Sequence, residues 1–257
     1  MNDIQTEFHP PLAWVTLNRP ARRNAVTAAM WAALPDIATQ IAANPAIRVA
    51  LVRGAGQVAF SAGADIVEMT ENAAHPERMR AMQQAVLEGQ LAWARLAIPT
   101  LAVIRGACTG GGCGLALACD LRLAADDSFY SVPPARLGLV YALDDTRRLV
   151  DLVGPARAKE ILFTGRRIDA REALDLGLVN EVVPAADLEA RALELAGTIA
   201  ANASNSVAAA KHIVNLIMDG TRAETAATRA MFDGAFDSAQ FAEGTRAFLE
   251  KRAPKFS

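Results

Sequence analysis

The sequence is poor in cysteine and histidine and carries almost no net charge, and each shortage excludes a class of protein. The three cysteines, Cys108, Cys113 and Cys119, lie close together in an Ala/Gly-rich segment, which predicts buried packing residues and no disulfide framework. The three histidines are scattered without ligand spacing, so no metal site is expected. A formal net charge of -2 leaves no basic surplus for a phosphate backbone, which argues against nucleic-acid binding.

Long apolar runs are also missing. No stretch approaches the roughly 18 consecutive apolar residues of a membrane span, so no membrane partner is expected. The start, Met1-Asn2-Asp3-Ile4, lacks the basic and then apolar layout of a signal peptide, which predicts a cytoplasmic protein. The chain does have length and apolar content. Its 257 residues, 52% of them hydrophobic, can bury a substantial core in one large domain, with or without a small appendage.

Short strand-like runs alternate with helical patterns along the first part of the chain. The strand-like runs are residues 13–17, 49–52, 100–104 and 121–124, and the helical stretches are residues 27–43, with Thr27 as the N-cap, and 76–96. This order predicts an α/β fold with a largely parallel sheet. After about residue 155 the pattern is almost wholly helical, with turn signals at Gly165, Gly177 and Pro184.

Two segments rich in small residues follow predicted strands and allow a ligand to approach the main chain closely. They are residues 59–66, and residues 106–120, where Gly110-Gly111-Gly112 opens an apolar helix. Free N–H groups at the start of a helix attract an anion. Each segment alone is equally compatible with a tight turn and close helix packing. Together, the two could aim two N–H groups at one oxyanion, which thioester enolate chemistry requires.

These segments are part of a series of motifs that resembles the crotonase family, the enoyl-CoA hydratase/isomerase family. The matching motifs run over nearly the whole chain: Asn18-Arg19-Pro20 with Asn24-Ala25, residues 59–66, Gly110-Gly111-Gly112-Cys113, Leu137-Gly138-Leu139, residues 161–165, residues 173–179 and residues 248–252. The resemblance implies the α/β crotonase fold, a spiral of ββα units with a helical C-terminal region. It implies a core at residues 1–195, a helical trimerisation region at residues 196–257, and a homotrimer or homohexamer.

The resemblance also implies where an acyl-CoA thioester binds. Coenzyme A is then part of the substrate, so no separate cofactor is expected. The backbone amides of Ala64 and Gly111 would form an oxyanion hole. Asp65 and Ile66 would line the acyl and pantetheine channel, and Ala62 would lie near the adenine. Arg22 and Arg23 would meet the nucleotide end. Phe248 and Lys251 would reach the substrate from the C-terminal tail, often across a subunit boundary. For the arginines and the lysine, plain surface charge is an equal alternative.

The chain departs from the hydratases of this family at both catalytic glutamates. Those positions are Gly114 and Pro134, and the position of the aspartate used by dienoyl isomerases and dehalogenases is Ala142. Paired carboxylates suit the addition of water, because one activates the water while the other manages the proton at the α-carbon. None of the three residues found here can transfer a proton.

The same region offers Tyr141. Residues 132–143 resemble the methylmalonyl-CoA decarboxylase branch, which carries a proline and a tyrosine at the corresponding positions. Loss of CO₂ forms an enolate without a base, so an oxyanion hole with a group that orients the carboxylate or reprotonates carbon is sufficient. Tyr141 is therefore a predicted catalytic residue, with a buried hydroxyl bonded to the backbone as an equal alternative. Asp144 and Asp145 are further acid or base candidates, or charged residues in the first turn of a helix.

The leading prediction is a lyase that acts on acyl-CoA and holds its enolate with the two amides, and the absent glutamates favour a decarboxylase-like course. A hydratase or isomerase with relocated acid and base groups, such as Tyr141 or Asp144, is the direct alternative. A CoA-thioester binding protein without catalysis is the alternative from another class. The helix at residues 76–96 includes Arg78, Arg80 and Glu88, and an arginine there could pair with a substrate carboxylate.

Overall fold

The computed structural model describes residues 3–256, so Met1, Asn2 and Ser257 lie outside the described residues. Met1 and Asn2 belong to the N-terminal segment from which a cytoplasmic location is predicted. The strands described are β1 (Ile4–His9), β2 (Leu12–Leu17), β3 (Val49–Gly54), β4 (Ala59–Ser61), β5 (Thr100–Ile104), β6 (Ala107–Thr109), β7 (Leu121–Ala125), β8 (Phe129–Ser131), β9 (Ile168–Asp169) and β10 (Glu181–Val183). The helices described are α1 (Ala28–Ala42), α2 (Ile66–Asn72), α3 (Pro76–Ala94), α4 (Gly111–Ala118), α5 (Leu143–Thr164), α6 (Ala170–Asp175), α7 (Leu188–Ala201), α8 (Ser204–Met218), α9 (Ala226–Ala235) and α10 (Ala239–Leu249).

Six strands form the larger sheet, in the order β1-β2-β3-β5-β7-β10. β1 and β2 are an antiparallel hairpin at one edge, and every other neighbouring pair is parallel. β2 and β5 are buried along their whole length, as expected of strands that are covered on both faces. The four strands predicted from the sequence are confirmed as β2, β3, β5 and β7, and the α/β fold with a largely parallel sheet is confirmed with them.

A smaller sheet of four strands, in the order β4-β6-β8-β9, places the functional loops. β4, β6 and β8 are parallel to one another, and β9 is antiparallel to β8. Each of the three parallel strands follows a strand of the larger sheet and leads toward a helix, in the units β3-β4-α2, β5-β6-α4 and β7-β8-α5. The spiral of ββα units is thereby confirmed. Because β4 and β6 are parallel neighbours, the loops that follow them emerge side by side.

α1 and α3 pack together over one face of the larger sheet. The Thr27 side chain accepts a hydrogen bond from the Met30 N–H at 3.3 Å, which confirms the predicted N-cap of α1. Trp31 and Leu34 on the buried face of α1 meet Gly89 of α3, where a β-carbon would stand only 2.7 Å from the Trp31 carbonyl oxygen. The absence of a side chain at Gly89 therefore lets the two helices approach closely.

α7 covers the opposite face of the larger sheet. Its buried residues recur every four positions, at Leu188, Ala192, Ala196 and Ala200, and they share a core with residues of β2, β3, β5 and β7. The predicted division between residues 195 and 196 falls inside this helix. Because α7 belongs to the core of the sheet, we propose that the helical C-terminal region begins after it, with α8.

The last three helices, with Phe236 directly after α9, expose many large apolar side chains, namely Ile213, Val214, Ile217, Met218, Phe232, Phe236, Phe241, Phe248 and Leu249. α8 is fastened to the core by Lys211, whose ammonium donates to Asp120 Oδ2 at 2.7 Å and to the Ile98 carbonyl at 2.9 Å. Exposed apolar faces of this extent are typical of contact surfaces, and the predicted homotrimer or homohexamer stays a prediction. Within residues 3–256, every helix is too short or too polar to cross a membrane.

Candidate active site

The Ala64 N–H points away from Val26, the residue with which Ala64 forms a β-bridge. Ala64 forms a parallel bridge with Val26, and Val26 makes both of its hydrogen bonds. The Val26 N–H donates to the Gly63 carbonyl at 2.8 Å, and the Val26 carbonyl accepts from the Asp65 N–H at 3.1 Å. In such a bridge the opposite residue points its own N–H to the other side. The Ala64 N–H is thus left available.

Gly111 supplies the second amide, because it is the first residue of α4 and no preceding turn provides a partner for its N–H. Gly110 before it has φ 51° and ψ -119°, a conformation that glycine adopts far more readily than other residues. The Gly110 N–H donates to the Ser131 carbonyl at 2.9 Å, which anchors the turn to β8. The positive end of the α4 dipole therefore lies at the Gly111 N–H.

The two amides lie side by side. A β-carbon on Gly111 would stand 3.6 Å from the Ala64 nitrogen, and one on Gly63 would stand 3.2 Å from the Gly111 nitrogen. Within residues 3–256 neither N–H donates to a protein group, and both residues are half-buried. Two adjacent, preorganised donors in a partly enclosed place are suited to binding one oxyanion. The fold brings the predicted pair together.

One hydroxyl group holds the two loops against each other, and a second fixes the first loop. The Thr109 hydroxyl donates to the Ala62 carbonyl at 2.8 Å, and the buried Ser61 hydroxyl accepts from the Gly63 N–H at 3.1 Å. A β-carbon on Gly112 would stand 2.7 Å from Ser61, so only glycine fits there without a shift. The small residues of both segments are therefore needed for the loops to approach each other, as well as for a ligand to approach them.

A buried carboxylate occupies the place where a side chain at Gly114 would stand. Asp145, in the first turn of α5, is 3% exposed, and a β-carbon on Gly114 would lie 2.9 and 3.0 Å from its two carboxylate oxygens. Gly114 lies three residues after Gly111, on the same face of α4. A carboxylate from α5 thus occupies the space that a side chain at Gly114 of α4 would fill. Asp144, the other candidate, is half-exposed and lines a cleft between α3, α5 and α8.

The surroundings of Asp145 raise the pKa of its carboxyl group toward neutral pH. Burial raises the pKa of this carboxyl from 3.8 to about 6, while the Arg148 guanidinium and the Gln90 amide oppose the rise. Arg148 Nη1 lies 3.4 Å from Asp145 Oδ1. A group with a pKa near the working pH can both accept and return a proton, which general acid–base catalysis requires. Asp145 is therefore the proton-transfer candidate of the site.

The raised pKa predicts a specific dependence of stability on pH. The Asp145 carboxyl binds its proton more tightly in the folded protein than in the unfolded one. Ionisation of Asp145 therefore lowers the free energy of unfolding. This loss is absent below about pH 4 and grows as the pH rises toward about 6. Because each pKa unit corresponds to about 1.4 kcal/mol, the loss reaches about 3 kcal/mol. In urea titrations we expect Asp145→Asn to lack this decline in the free energy of unfolding and Asp144→Asn to retain it. Parallel pH curves for the wild type and Asp145→Asn would contradict the raised pKa.

Tyr141 contacts the peptide that joins Gly110 to Gly111, on the side opposite the Gly111 N–H. Its hydroxyl donates to the Gly110 carbonyl at 3.3 Å, which matches the backbone-bonded alternative. Burial, and after it the charge of Asp145, raises the pKa of this phenol well above its usual value, so the group stays a donor at neutral pH. The Gly110 carbonyl and the Gly111 N–H belong to one planar trans peptide and point in opposite directions. The contact fits orienting that peptide better than the predicted proton transfer to substrate.

Residues predicted to contact the nucleotide end of CoA gather beside the amides. The Ala62 N–H donates to the Arg23 carbonyl at 2.9 Å, which joins the loop of Arg22 and Arg23 to the segment that carries Ala64. Both arginines are exposed, and Arg23 has a left-handed φ of 50°. Ile66 is also exposed, in the first turn of α2. The loop of the two arginines and the segment that carries Ala64 are therefore direct neighbours.

The Asp65 carboxylate is already engaged within the protein. It accepts a hydrogen bond from the Val67 N–H at 3.0 Å, which caps α2, and it pairs with Arg19 at 2.8 Å. Only 8% of the residue is exposed. The carboxylate thus braces the loop that holds Ala64, and the prediction that Asp65 lines the acyl channel gains no support for its side chain.

Phe248 and Lys251 lie at the end of α10 and are exposed. The tail that follows them is fixed by Arg48, whose Nη2 donates to the Phe256 carbonyl at 2.9 Å. Arg48 immediately precedes β3, at the amino end of the parallel strands, whereas the two amides follow the carboxyl ends of β4 and β6. The fold therefore does not gather these two residues with the amides of the same chain, and contact with CoA across a subunit boundary stays a prediction.

One polar residue of the site was missed in the sequence. The singled-out residues of α3, Arg78, Arg80 and Glu88, are exposed. The residue of α3 that faces the site is Gln90, which is 1% exposed and whose Nε2 takes the place of a β-carbon at Gly114. The signal was available, because Gln90 interrupts a buried stripe of helical period. The buried residues of α3 are Met82, Gly89, Gln90 and Trp93.

Comparisons with known proteins agree with this geometry. The family model described as Enoyl-CoA hydratase/isomerase matches residues 7–257. The chain is 35% identical over 261 residues to a crotonyl-CoA hydratase of Syntrophomonas wolfei, covering 99% of this chain and 97% of that protein. It is 32% identical over 256 residues to a short-chain-enoyl-CoA hydratase of Clostridium acetobutylicum, with 98% and 96% covered. A crystal structure from Magnetospirillum magneticum, described as an enoyl-CoA hydratase/carnithine racemase, superposes with a TM-score of 0.95 at 35% identity, covering 100% of this chain and 96% of the other.

Proposed function

Because the chain belongs to the enoyl-CoA hydratase/isomerase family, we propose that it hydrates a 2-enoyl-CoA thioester by way of an enolate. The amides of Ala64 and Gly111 bind the enolate oxygen, and Asp145 transfers the proton. The observation that carries this proposal is the position of the Asp145 carboxylate, in the place of the missing side chain at Gly114.

One carboxylate is sufficient for the proton balance of this reaction. Asp145 takes a proton from water as the water oxygen bonds to C3, and the electron pair of the C2=C3 bond moves toward the thioester carbonyl. The carbonyl oxygen becomes the enolate anion, to which Ala64 and Gly111 donate hydrogen bonds. Asp145 then returns its proton to C2. One water has been added, and the carboxylate is restored.

Tyr141 acts in this scheme as a positioning residue. Its hydrogen bond to the Gly110 carbonyl fixes the peptide that carries the Gly111 N–H. Hydrogen bonds in a chain polarise one another, so the same contact makes that N–H a stronger donor to the enolate oxygen.

Decarboxylation, the course favoured by the missing glutamates, fits this site less well. A buried carboxylate at Asp145 would repel the carboxylate of a malonyl-type substrate placed beside it. Loss of CO₂ needs no base and leaves Asp145 only a reprotonation step. A protein that merely binds CoA thioesters would have no use for a buried acid whose charged form lowers its stability.

We further propose that the nucleotide end of CoA lies along Arg22, Arg23 and Ala62. Support comes from the exposure of both arginines and from the hydrogen bond that joins their loop to Ala62. Phe248 and Lys251 then contact the CoA bound to a neighbouring copy in a homotrimer or homohexamer. The exposed apolar side chains of α8, α9 and α10 support such an assembly.

A panel of substrates tests the function of the wild-type protein. We expect crotonyl-CoA to be hydrated, with loss of the enoyl absorbance, and one deuterium to enter C2 in D₂O. We expect no CO₂ from ethylmalonyl-CoA or methylmalonyl-CoA. Release of CO₂ without hydration of crotonyl-CoA would replace this proposal by decarboxylation. Tight binding of butyryl-CoA with no turnover of any substrate would favour the non-catalytic alternative.

A further inference from the structure

Buried polar atoms without a hydrogen-bond partner are concentrated beside α4. Among the described side chains, the fully buried nitrogen and oxygen atoms that make no hydrogen bond of ordinary geometry are Trp31 Nε1 and both amide atoms of Gln90. Nearly all buried polar groups in native proteins are paired with protein or ordered water, so each exception needs a reason. A methionine or leucine would fill the space of Gln90 without this cost.

Both residues border the face of α4 that carries the oxyanion amide. The Trp31 ring lies over Gly111, where a β-carbon would stand 3.3 Å from Trp31 Cζ2. Gln90 Nε2 takes the place of a β-carbon on Gly114, next to the two oxygens of Asp145. The Gln90 amide also lowers the pKa of Asp145, although it makes no well-formed hydrogen bond to it. The Gln90 amide therefore lies beside Asp145, the carboxyl that we propose moves the proton.

The chemistry of a primary amide limits what the missing partner can be. Gln90 Nε2 donates and Oε1 accepts, so a single partner that satisfies both atoms must accept as well as donate. Water and an aliphatic hydroxyl meet this requirement. A carboxylate only accepts, and an alkyl chain does neither.

We propose that Gln90 binds the oxygen atom that is added at C3 of the substrate. This inference rests on the proposed hydration. In the forward direction the ligand is the attacking water, which Gln90 and Asp145 hold together while Asp145 takes its proton. In the reverse direction it is the C3 hydroxyl of a 3-hydroxyacyl-CoA thioester. Gln90 is then a catalytic residue of the site, and it selects for substrates with an oxygen at C3.

Binding and exchange measurements separate this role from a structural one. We expect the wild type to bind 3-hydroxybutyryl-CoA at least about tenfold more tightly than butyryl-CoA, and Gln90→Met to lose this preference. We expect Gln90→Met to lower kcat for crotonyl-CoA hydration about 10- to 100-fold. Exchange of the C2 proton of butyryl-CoA in D₂O should fall much less than hydration does, because it needs Asp145 and the amides but no oxygen at C3, and loss of the Gln90 amide reaches it only through the pKa of Asp145. Gln84→Met, an exposed change on the same helix, is the matched control.

The outcomes that overturn the inference differ from those that overturn the function. If the proposed function is wrong, the wild-type protein does not hydrate crotonyl-CoA. A wrong inference about Gln90 appears as unchanged hydration in Gln90→Met, or as an equal loss of hydration and C2 exchange, which indicates only a disturbed fold. Equal affinity of the wild type for the two thioesters also overturns it. That comparison needs no variant, so it decides the matter even if Gln90→Met does not fold.

Discussion

Asp145→Asn should lower kcat for crotonyl-CoA hydration by about 10²- to 10⁴-fold, because asparagine keeps the shape of the carboxylate but cannot carry a proton. The amides of Ala64 and Gly111 are untouched, so the affinity for butyryl-CoA should stay within about threefold. In the wild type, kcat/KM should fall as the pH drops below about 6, where Asp145 becomes protonated. Steady-state rates followed by the enoyl absorbance measure these effects.

Asp144→Asn is the matched control for this prediction. It removes the same charge from the neighbouring position of α5, but Asp144 is half-exposed and lies in a different cleft. Its kcat should stay within about twofold of the wild type, as for surface changes in general. If Asp144→Asn were as damaging as Asp145→Asn, or if Asp145→Asn kept most of the activity, the proton would have to be carried by another group.

Gly111→Pro should lower kcat by about 10²- to 10³-fold, because proline has no N–H and its ring fills the place where an enolate oxygen would be bound. The backbone can accept the change. Proline is favoured at the first position of a helix. Gly110, with φ 51° and ψ -119°, has the mirror image of the extended conformation that a residue before proline requires, and glycine adopts both forms. Circular dichroism melting checks that the variant is folded.

Gly111→Ala separates the loss of the donor from a change of shape. Alanine keeps the N–H, and its β-carbon would stand 3.3 Å from Trp31 Cζ2, so the ring has to move by a few tenths of an ångström. We expect a loss of about tenfold or less, well below that of the proline variant. Equal losses in the two variants would show that space beside Trp31 matters more than the hydrogen bond.

The lack of a side chain at Gly114 on α4 leaves the space that the Asp145 carboxylate of α5 occupies. A side chain at Gly114 would meet Asp145 and the Gln90 amide, so a carboxylate can be supplied from α4 or from α5, but not from both without a shift of α3 or α5. Although Gly114 stands where the hydratases have a glutamate, the space beside it still holds a buried carboxylate, that of Asp145. The sequence alone favours decarboxylation because Gly114 and Pro134 replace both glutamates and residues 132–143 resemble the decarboxylase branch. The position of Asp145 beside Gly114 is visible only in three dimensions.

Strands, helices and the two small-residue turns were predictable because their determinants are local, and the family resemblance assigned the two amides within those turns. The buried strands are continuous apolar runs, Thr27 caps the helix that it immediately precedes, and Gly110 adopts a conformation that follows from having no β-carbon. The match of residues 7–257 to one family model shows that the order of these segments was sufficient to identify the family.

By itself, then, the sequence determined the fold, the family and the position of the two amides that we propose hold an oxyanion, since backbone amides depend on chain geometry and not on side-chain identity. Only the tertiary structure decided which side chains lie beside these amides. Asp145 reaches the space beside Gly114, Gln90 faces the same space, and Tyr141 bonds to Gly110, because α3, α4 and α5 pack against one another. Such meetings join residues from separate helices. No local pattern specifies them, and the burial that tunes Asp145 exists only once the helices are packed.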